Sequence, residues 1–292
     1  MTEYTYQWNA EWMDDPTMPL LKVTKSSLNT FEFCKKQYEF QYIEGRKSEP
    51  NAAMARGSIV HNAYEDFYNE FELKKAEGLD ENLLYEYCIG LFPIDDYGEV
   101  YQKMSAFETE RFLKSKSANT LPTYLPVGNE IKCNAQLEIS SYVAAVTASG
   151  KPAKRGFHLQ RDYTVHIQGI IDRVFQEGEG YIPVELKTGV WKDRKESHMR
   201  NEMAFYKVLM DADPDVTMNP ITHWAWYYPD SNYFQLEPVR ASNENNIPKR
   251  IAKLIKAYED NRFPASYFPN KCQHCSFIGL CDSAQQAELW DW

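Results

Sequence analysis

A chain of 292 residues, 43% hydrophobic and 25% charged, can bury a sizeable core as one elaborated domain or two small ones, which excludes a mini-protein that needs staples to fold. Asp and Glu number 42 against 32 Lys and Arg, a formal net charge of -10, so no global positive field draws the chain to phosphate. Any nucleic-acid binding must use local basic patches. No run approaches the length of apolar sequence that spans a bilayer, and the polar, acidic opening from Met1 to Asp15 differs from a signal peptide. A soluble, intracellular, cytoplasmic protein with no membrane partner is expected. Six cysteines are too few for a secreted disulfide scaffold, so clustering among them points to a metal or to redox chemistry.

The first 25 residues, with Trp8, Trp12 and the Pro16 to Pro19 segment, lack periodicity and read as an irregular arm. From Ser26, a candidate N-cap, Leu28, Phe31, Cys34, Tyr38 and Tyr42 recur at helical spacing and stop at Gly45. Further helices are predicted over 53–76, 81–91 and 97–116, so the first third is helical. After Pro122 and Pro126 the texture turns β-branched, predicting strands within 131–146 and 156–175. Glu177-Gly178-Glu179-Gly180 is a turn signal, joining 167–175 and 181–187 into a hairpin. A helix over 195–210, strands over 221–228 and 233–239, and a helix over 244–261 complete the body. This order predicts an α/β core with a helical insertion.

The hairpin carries the strongest local signal: Asp172, then Val184-Glu185-Leu186-Lys187-Thr188-Gly189. The period of two puts Glu185 and Lys187 on one face, and strand pairing can bring Asp172 beside them. Converging carboxylates suit Mg²⁺ or Mn²⁺, and a lysine on the same face can orient water or neutralise charge on a phosphate. Taken alone, the pattern also fits a surface hairpin with a cross-strand ion pair. His61, in Gly57-x3-His61, is either a core histidine or a further ligand. Arg200, Glu202 and Tyr206 lie on the next helix, where the i, i+4 spacing of Glu202 and Tyr206 aligns them along a strand-binding groove. Glu130 is a further candidate acid, with Glu138 competing for the role.

Cys272-x2-Cys275-x5-Cys281 forms a second constellation, to which Cys34 is the natural fourth thiolate. Four thiolates hold an iron-sulfur cluster or a structural zinc, and spacing alone does not choose between them. Cys88 and Cys133 have no neighbouring cysteine and are expected to be ordinary buried thiols.

The joint order of Cys34, Gly57-x3-His61, an upstream Glu, Asp172, Glu185-x-Lys187, a Tyr-bearing helix and Cys-x2-Cys-x5-Cys resembles the RecB-like branch of the PD-(D/E)XK nucleases. It is most similar to the iron-sulfur members, such as the AddB nuclease domain and the CRISPR-associated adaptation exonucleases. The resemblance spans roughly Ser26 to Asp282. It implies a restriction-endonuclease-like α/β fold, a central mixed sheet flanked by helices, with an N-terminal helical insertion and a C-terminal cysteine cluster. The implied division is an arm (1–25), a helical region with the first cysteine and the histidine motif (26–125), a nuclease core (126–262) and an iron-sulfur segment (263–292), integrated as one nuclease domain. His61, Asp172 and Glu185 are implied as metal ligands with the Leu186 carbonyl, Lys187 as the catalytic lysine, and Glu130 as the upstream acid. The usual Gln-x3-Tyr of the next helix appears as Glu202-x3-Tyr206. The resemblance favours a 4Fe-4S cluster on Cys34, Cys272, Cys275 and Cys281 over structural Zn²⁺.

The implied activity is metal-dependent hydrolysis of DNA, as an exonuclease preferring single strands, in recombination, repair, replication or CRISPR-type processing. Helicase, recombination or CRISPR adaptation proteins are the implied partners. Lys35 with Lys36, Lys151 to Arg155, Lys192 to Lys195 and Lys249 to Lys256 are candidate phosphate contacts, with aromatic residues to stack unpaired bases. The rival reading is a non-catalytic DNA-end-binding or scaffold subunit of a helicase-nuclease complex. Lys187-Thr188-Gly189 also matches a penicillin-binding triad, but no Ser stands three residues before a Lys, so the nucleophile motif is missing. No Walker A loop precedes Lys187-Thr188 either.

Overall fold

The computed structural model describes residues 21–48, 52–146 and 152–284. Residues 1–20 of the expected arm (1–25), residues 285–292 of the expected iron-sulfur segment and Lys151 lie outside the described residues, as do the side chains of Lys154 and Arg155. In chain order the elements are β1 (Leu21–Thr24), α1 (Lys25–Phe33), α2 (Lys35–Tyr38), α3 (Ala52–Glu70), α4 (Leu73–Glu77), α5 (Glu81–Gly90), α6 (Gly98–Ser117) and β2 (Gly128–Ile139). There follow β3 (Tyr142–Val146), β4 (Pro152–His158), β5 (Tyr163–Glu177), β6 (Gly180–Leu186), α7 (Glu196–Ala212), β7 (His223–Tyr228) and β8 (Tyr233–Pro238). Helices α8 (Ala241–Glu244), α9 (Asn246–Glu259) and α10 (Pro269–Cys272) close the chain. The fold is mixed α/β, with a central mixed sheet and flanking helices, as expected.

Among the described residues, one compact unit comprises 21–48, 134–146, 152–169 and 241–284. Its first element corrects the expectation of irregular chain up to residue 25. Residues Leu21–Thr24 form β1, parallel to β5 in the register Leu21↔Val165 to Thr24↔Gln168, with Leu21 and Val23 buried. Four residues are too few for a periodic pattern, and their partner lies far along the chain. Thr24, and not Ser26, caps α1: its Oγ1 accepts from Ser27 N at 3.0 Å, and Ser27 Oγ accepts from Thr24 N at 2.9 Å. The helix expected to run on to Gly45 breaks at Cys34, which is extended at φ -159° and ψ 117°. After α2 a π-helical turn over Glu39–Ile43 leads to Gly45 at φ +67°, a left-handed position that glycine occupies without a Cβ penalty. The amphipathic α9 buries Ile251, Leu254 and Ile255, and Tyr258 packs edge-on to Tyr38. Buried Arg250 is held by Glu32 at 2.8 Å and Asn29 at 3.1 Å.

The other unit comprises 52–133 and 170–240. Here β5 and β6 form the expected hairpin, Arg173↔Val184 to Glu177↔Gly180, turning through Gly178 at φ +59°. β6 pairs parallel with β7, which requires a crossover, and α7 supplies it. β8 then pairs antiparallel to β7. The helices α3 to α6 build an aromatic core that includes Phe67, Phe71, Phe92, Tyr101 and Phe112. Within it Glu108 is fully buried, accepting from the hydroxyls of Tyr64, Tyr68 (2.6 Å) and Tyr124 (2.7 Å) and from Arg111 (2.8 Å). Arg173 is buried beside it, its guanidinium 4.0 Å from the centre of the Tyr64 ring. Cys88 and Cys133 are buried as expected, and burial pushes their thiols up to about 12 and about 11.

Candidate metal centre

The β5–β6 hairpin fixes Asp172 by its backbone. Asp172 Oδ2 accepts the Leu186 N–H at 2.7 Å, so the strand bearing Glu185 and Lys187 orients this carboxylate. Helix α3 approaches with His61, whose Nδ1 lies 3.6 Å from Asp172 Oδ2. Glu130 enters from the start of β2 at φ +46°, a left-handed conformation costing a non-glycine residue about 1–2 kcal/mol. Ligand atoms of His61, Glu130 and Asp172 all lie within 4.8 Å of one another. Burial, then the nearby Asp172 and Glu65 carboxylates, push Glu130 up to about 7 against the pull of Arg173, with Glu185 adding a smaller push. Two crowded carboxylates and an imidazole fit a divalent cation: positive charge there offsets both the burial and the repulsion that raise Glu130.

Lys187 is the centre of a second group. Its Nζ lies 2.6 Å from Glu185 and 3.0 Å from Glu202. Burial works against the ammonium, but the two acids outweigh it and hold Lys187 well above its ordinary value. Tyr206, one turn after Glu202 on α7, hydrogen-bonds Glu185, and burial keeps its hydroxyl neutral. Glu202 also receives His198 Nε2 at 2.9 Å. Glu185 is therefore gathered with Lys187 and Tyr206, beside the three-residue cluster. Among the other expected residues, Leu186 offers its N–H to Asp172, and Glu138 accepts from Thr164 at 2.6 Å. Arg200 is taken up by Glu237 at 2.7 Å and Glu196 at 2.5 Å.

Sequence reasoning missed Arg56 and Asp230. The Arg56 Nη1 and Nη2 atoms reach the Asp230 carboxylate at 2.9 and 2.6 Å, and the Gly189 N–H reaches the same group. Gly189 sits at φ +97°. This pairing ties the loop after Lys187 to the helix bearing His61. The only signals were an arginine just ahead of Gly57-x3-His61 and an acid in a Tyr-Pro-Asp turn, which no local pattern connects.

In the cysteine-bearing unit, Cys34, Cys272, Cys275 and Cys281 line one cavity of about 30 Å³ with Phe40 and Phe277. The break at Cys34 turns that residue out of the helical repeat. Burial, and less strongly the proximity of the other three cysteines, raise the Cys275 thiol.

No helix among the described residues is long and apolar enough to cross a membrane. No curated protein matches the chain. Among solved structures, that of SSO0001 is similar, with 13% identity, alignment over 94% of this chain and 93% of that chain, and a TM-score of 0.39. The PD-(D/E)XK nuclease superfamily matches residues 22–282, a span that includes both acidic groups and all four clustered cysteines. A match over nearly the whole sequence makes this chain a member of the PD-(D/E)XK nuclease superfamily.

Proposed function

We propose that the chain is a metal-dependent deoxyribonuclease that removes nucleotides from DNA ends and prefers single strands. The observation that carries this reading is the convergence of His61, Glu130 and Asp172 next to the Lys187 group. His61, Glu130 and Asp172 would hold Mg²⁺ or Mn²⁺, with Glu185 and the Leu186 carbonyl completing the set. When bound, the cation supplies Lewis-acid charge at the scissile phosphate.

The remaining roles belong to the protein. Lys187 stays protonated, so it donates hydrogen bonds and positive charge to a phosphate oxygen as charge builds in the transition state. Glu202 and Glu185 aim its ammonium from two sides, and Tyr206 fixes Glu185 by a neutral hydroxyl. Asp172 is held by the Leu186 N–H, so it needs little reorganisation to ligate. An unpaired strand reaches such a recessed site more readily than a duplex does, which is the reason for the strand preference.

Cys34, Cys272, Cys275 and Cys281 are proposed to hold a 4Fe-4S cluster with a structural role, since the residues proposed for hydrolysis lie in other segments of the chain. Cleavage of DNA labelled at either end, with Mg²⁺ or Mn²⁺, tests the activity. Asp172→Ala and Lys187→Ala should each abolish cleavage while DNA binding persists. Undiminished cleavage in both variants, from preparations free of host nuclease, would overturn the assignment.

A further inference from the structure

We infer that the cysteine-bearing unit carries a binding surface for single-stranded DNA, built from Lys35, Lys253, Arg262 and Lys271 around the exposed rings of Phe33 and Phe268. This inference rests on the nuclease reading for the identity of the polyanion. A groove of about 710 Å³ is lined by Phe31, Cys34, Lys35, Lys253, Lys256 and Arg262, with Glu32 and Asp260 as its acids. Both acids are paired: Glu32 with Arg250 at 2.8 Å, and Asp260 with Lys256 at 2.7 Å, a lysine it shares with Glu259 at 3.1 Å. Lys35, Lys253 and Arg262 form no ion pair among the described residues, so the groove and its paired acids keep a surplus of positive charge.

A charge of -10 on the chain makes this local surplus the more telling, because the global field repels phosphate. Phe33, next to Cys34 in sequence, is 40% exposed, and Phe268 is 56% exposed. Lys271 Nζ stands 4.9 Å from the first ring centre and 5.4 Å from the second, and it too has no ion pair among the described residues. Water-exposed aromatic rings interleaved with free ammonium groups stack unpaired bases while the cations meet the backbone. Duplex DNA hides its base faces and cannot use the rings. Lys35 and Phe33 flank Cys34 in sequence, so the break that presents the thiolate presents this surface as well.

The test is fluorescence anisotropy of the full chain in EDTA with a labelled single-stranded oligonucleotide, titrated with salt. The combined Lys35→Glu, Lys253→Glu and Arg262→Glu variant should bind at least ten-fold more weakly. Its salt slope should shrink by about 2, since each single-strand phosphate contact contributes about 0.7. The milder glutamine set at the same positions should shrink the slope in the same sense, keeping the test available if charge reversal impairs folding. Phe33→Ala with Phe268→Ala should lose about ten-fold in single-strand affinity and leave duplex binding unchanged. Wild-type affinity and slope in folded charge variants, or equal loss on duplex in the ring variant, would overturn the proposal. Absence of cleavage by wild type with metal is a separate result, counting against the nuclease reading and leaving the EDTA binding data to stand alone.

Discussion

Arg56 and Asp230, 174 residues apart, form a two-toothed ion pair at 2.9 and 2.6 Å. Asp230 also accepts the Gly189 N–H, and the Arg56 guanidinium is the main reason its carboxyl lies below its ordinary range. One carboxylate thus sets the spacing between the helix bearing His61 and the loop that follows Lys187.

Removing that link should misplace Lys187 without removing any proposed ligand. Asp230→Ala is expected to lower kcat by about 10- to 100-fold, the usual cost of losing an outer support of a metal site. Divalent-cation affinity measured by calorimetry should change less than kcat. An Asp230→Ala enzyme with wild-type kcat would show that the loop holds its place without this pair.

As a proposed ligand, Glu130 should make cation binding depend on pH. With its carboxyl near 7, Glu130 is protonated below that value and must lose the proton to ligate. Mn²⁺ affinity should rise about tenfold per pH unit below 7 and flatten above it. Glu130→Gln should remove this component of the slope. Calorimetry in two buffers of different ionisation enthalpy will report the released proton, and equal heats in both would rule it out.

Glu108 should be a stability residue. Burial opposes its charge, but Arg111 and the hydroxyls of Tyr64 and Tyr68 outweigh that cost and hold its folded value below the ordinary 4.5. The lowered value means that its contribution is complete above the unfolded pKa and is lost as pH falls through the folded one. Glu108→Ala should cost about 3–5 kcal/mol at neutral pH, because Arg111 and three tyrosines lose their shared acceptor. Denaturant melts at pH 7 and on acidification check both the size and the sign.

The cysteine proposal is read by elemental analysis. Protein purified without oxygen should be brown and carry about four irons per chain if the cluster is 4Fe-4S. Cys275→Ala should lose the colour and lower the melting temperature. One zinc and no iron would replace the cluster with a structural zinc and leave the nuclease proposal intact.

The sequence made some of this architecture plain and hid the rest for physical reasons. The β5–β6 hairpin was legible because alternation and a Gly-x-Gly turn are local signals. Strand β1 was not, since its hydrogen bonds go to Val165–Gln168 and its four residues carry no period. The interruption at Cys34 was hidden because Leu28, Phe31, Tyr38 and Tyr42 keep helical spacing across it. The approach of His61 to Asp172 was suggested only by motif order, whereas the Arg56–Asp230 pair has no sequence signature. Glu108 was overlooked because a Glu in a charged helix reads as solvated until its tyrosine partners are seen.

Asp172 and Arg173 are neighbours on β5, one reaching toward the proposed ligands and the other lying under the Tyr64 ring. Both contacts come from helix α3, His61 meeting Asp172 and Tyr64 meeting Arg173, so one helix addresses two successive residues of the strand. Substitutions at Tyr64 or Tyr68, which touch no phosphate in the proposed mechanism, should then disturb the seat of the residue next to Asp172, so that a loss of cation affinity in such variants would trace to packing and not to a missing ligand.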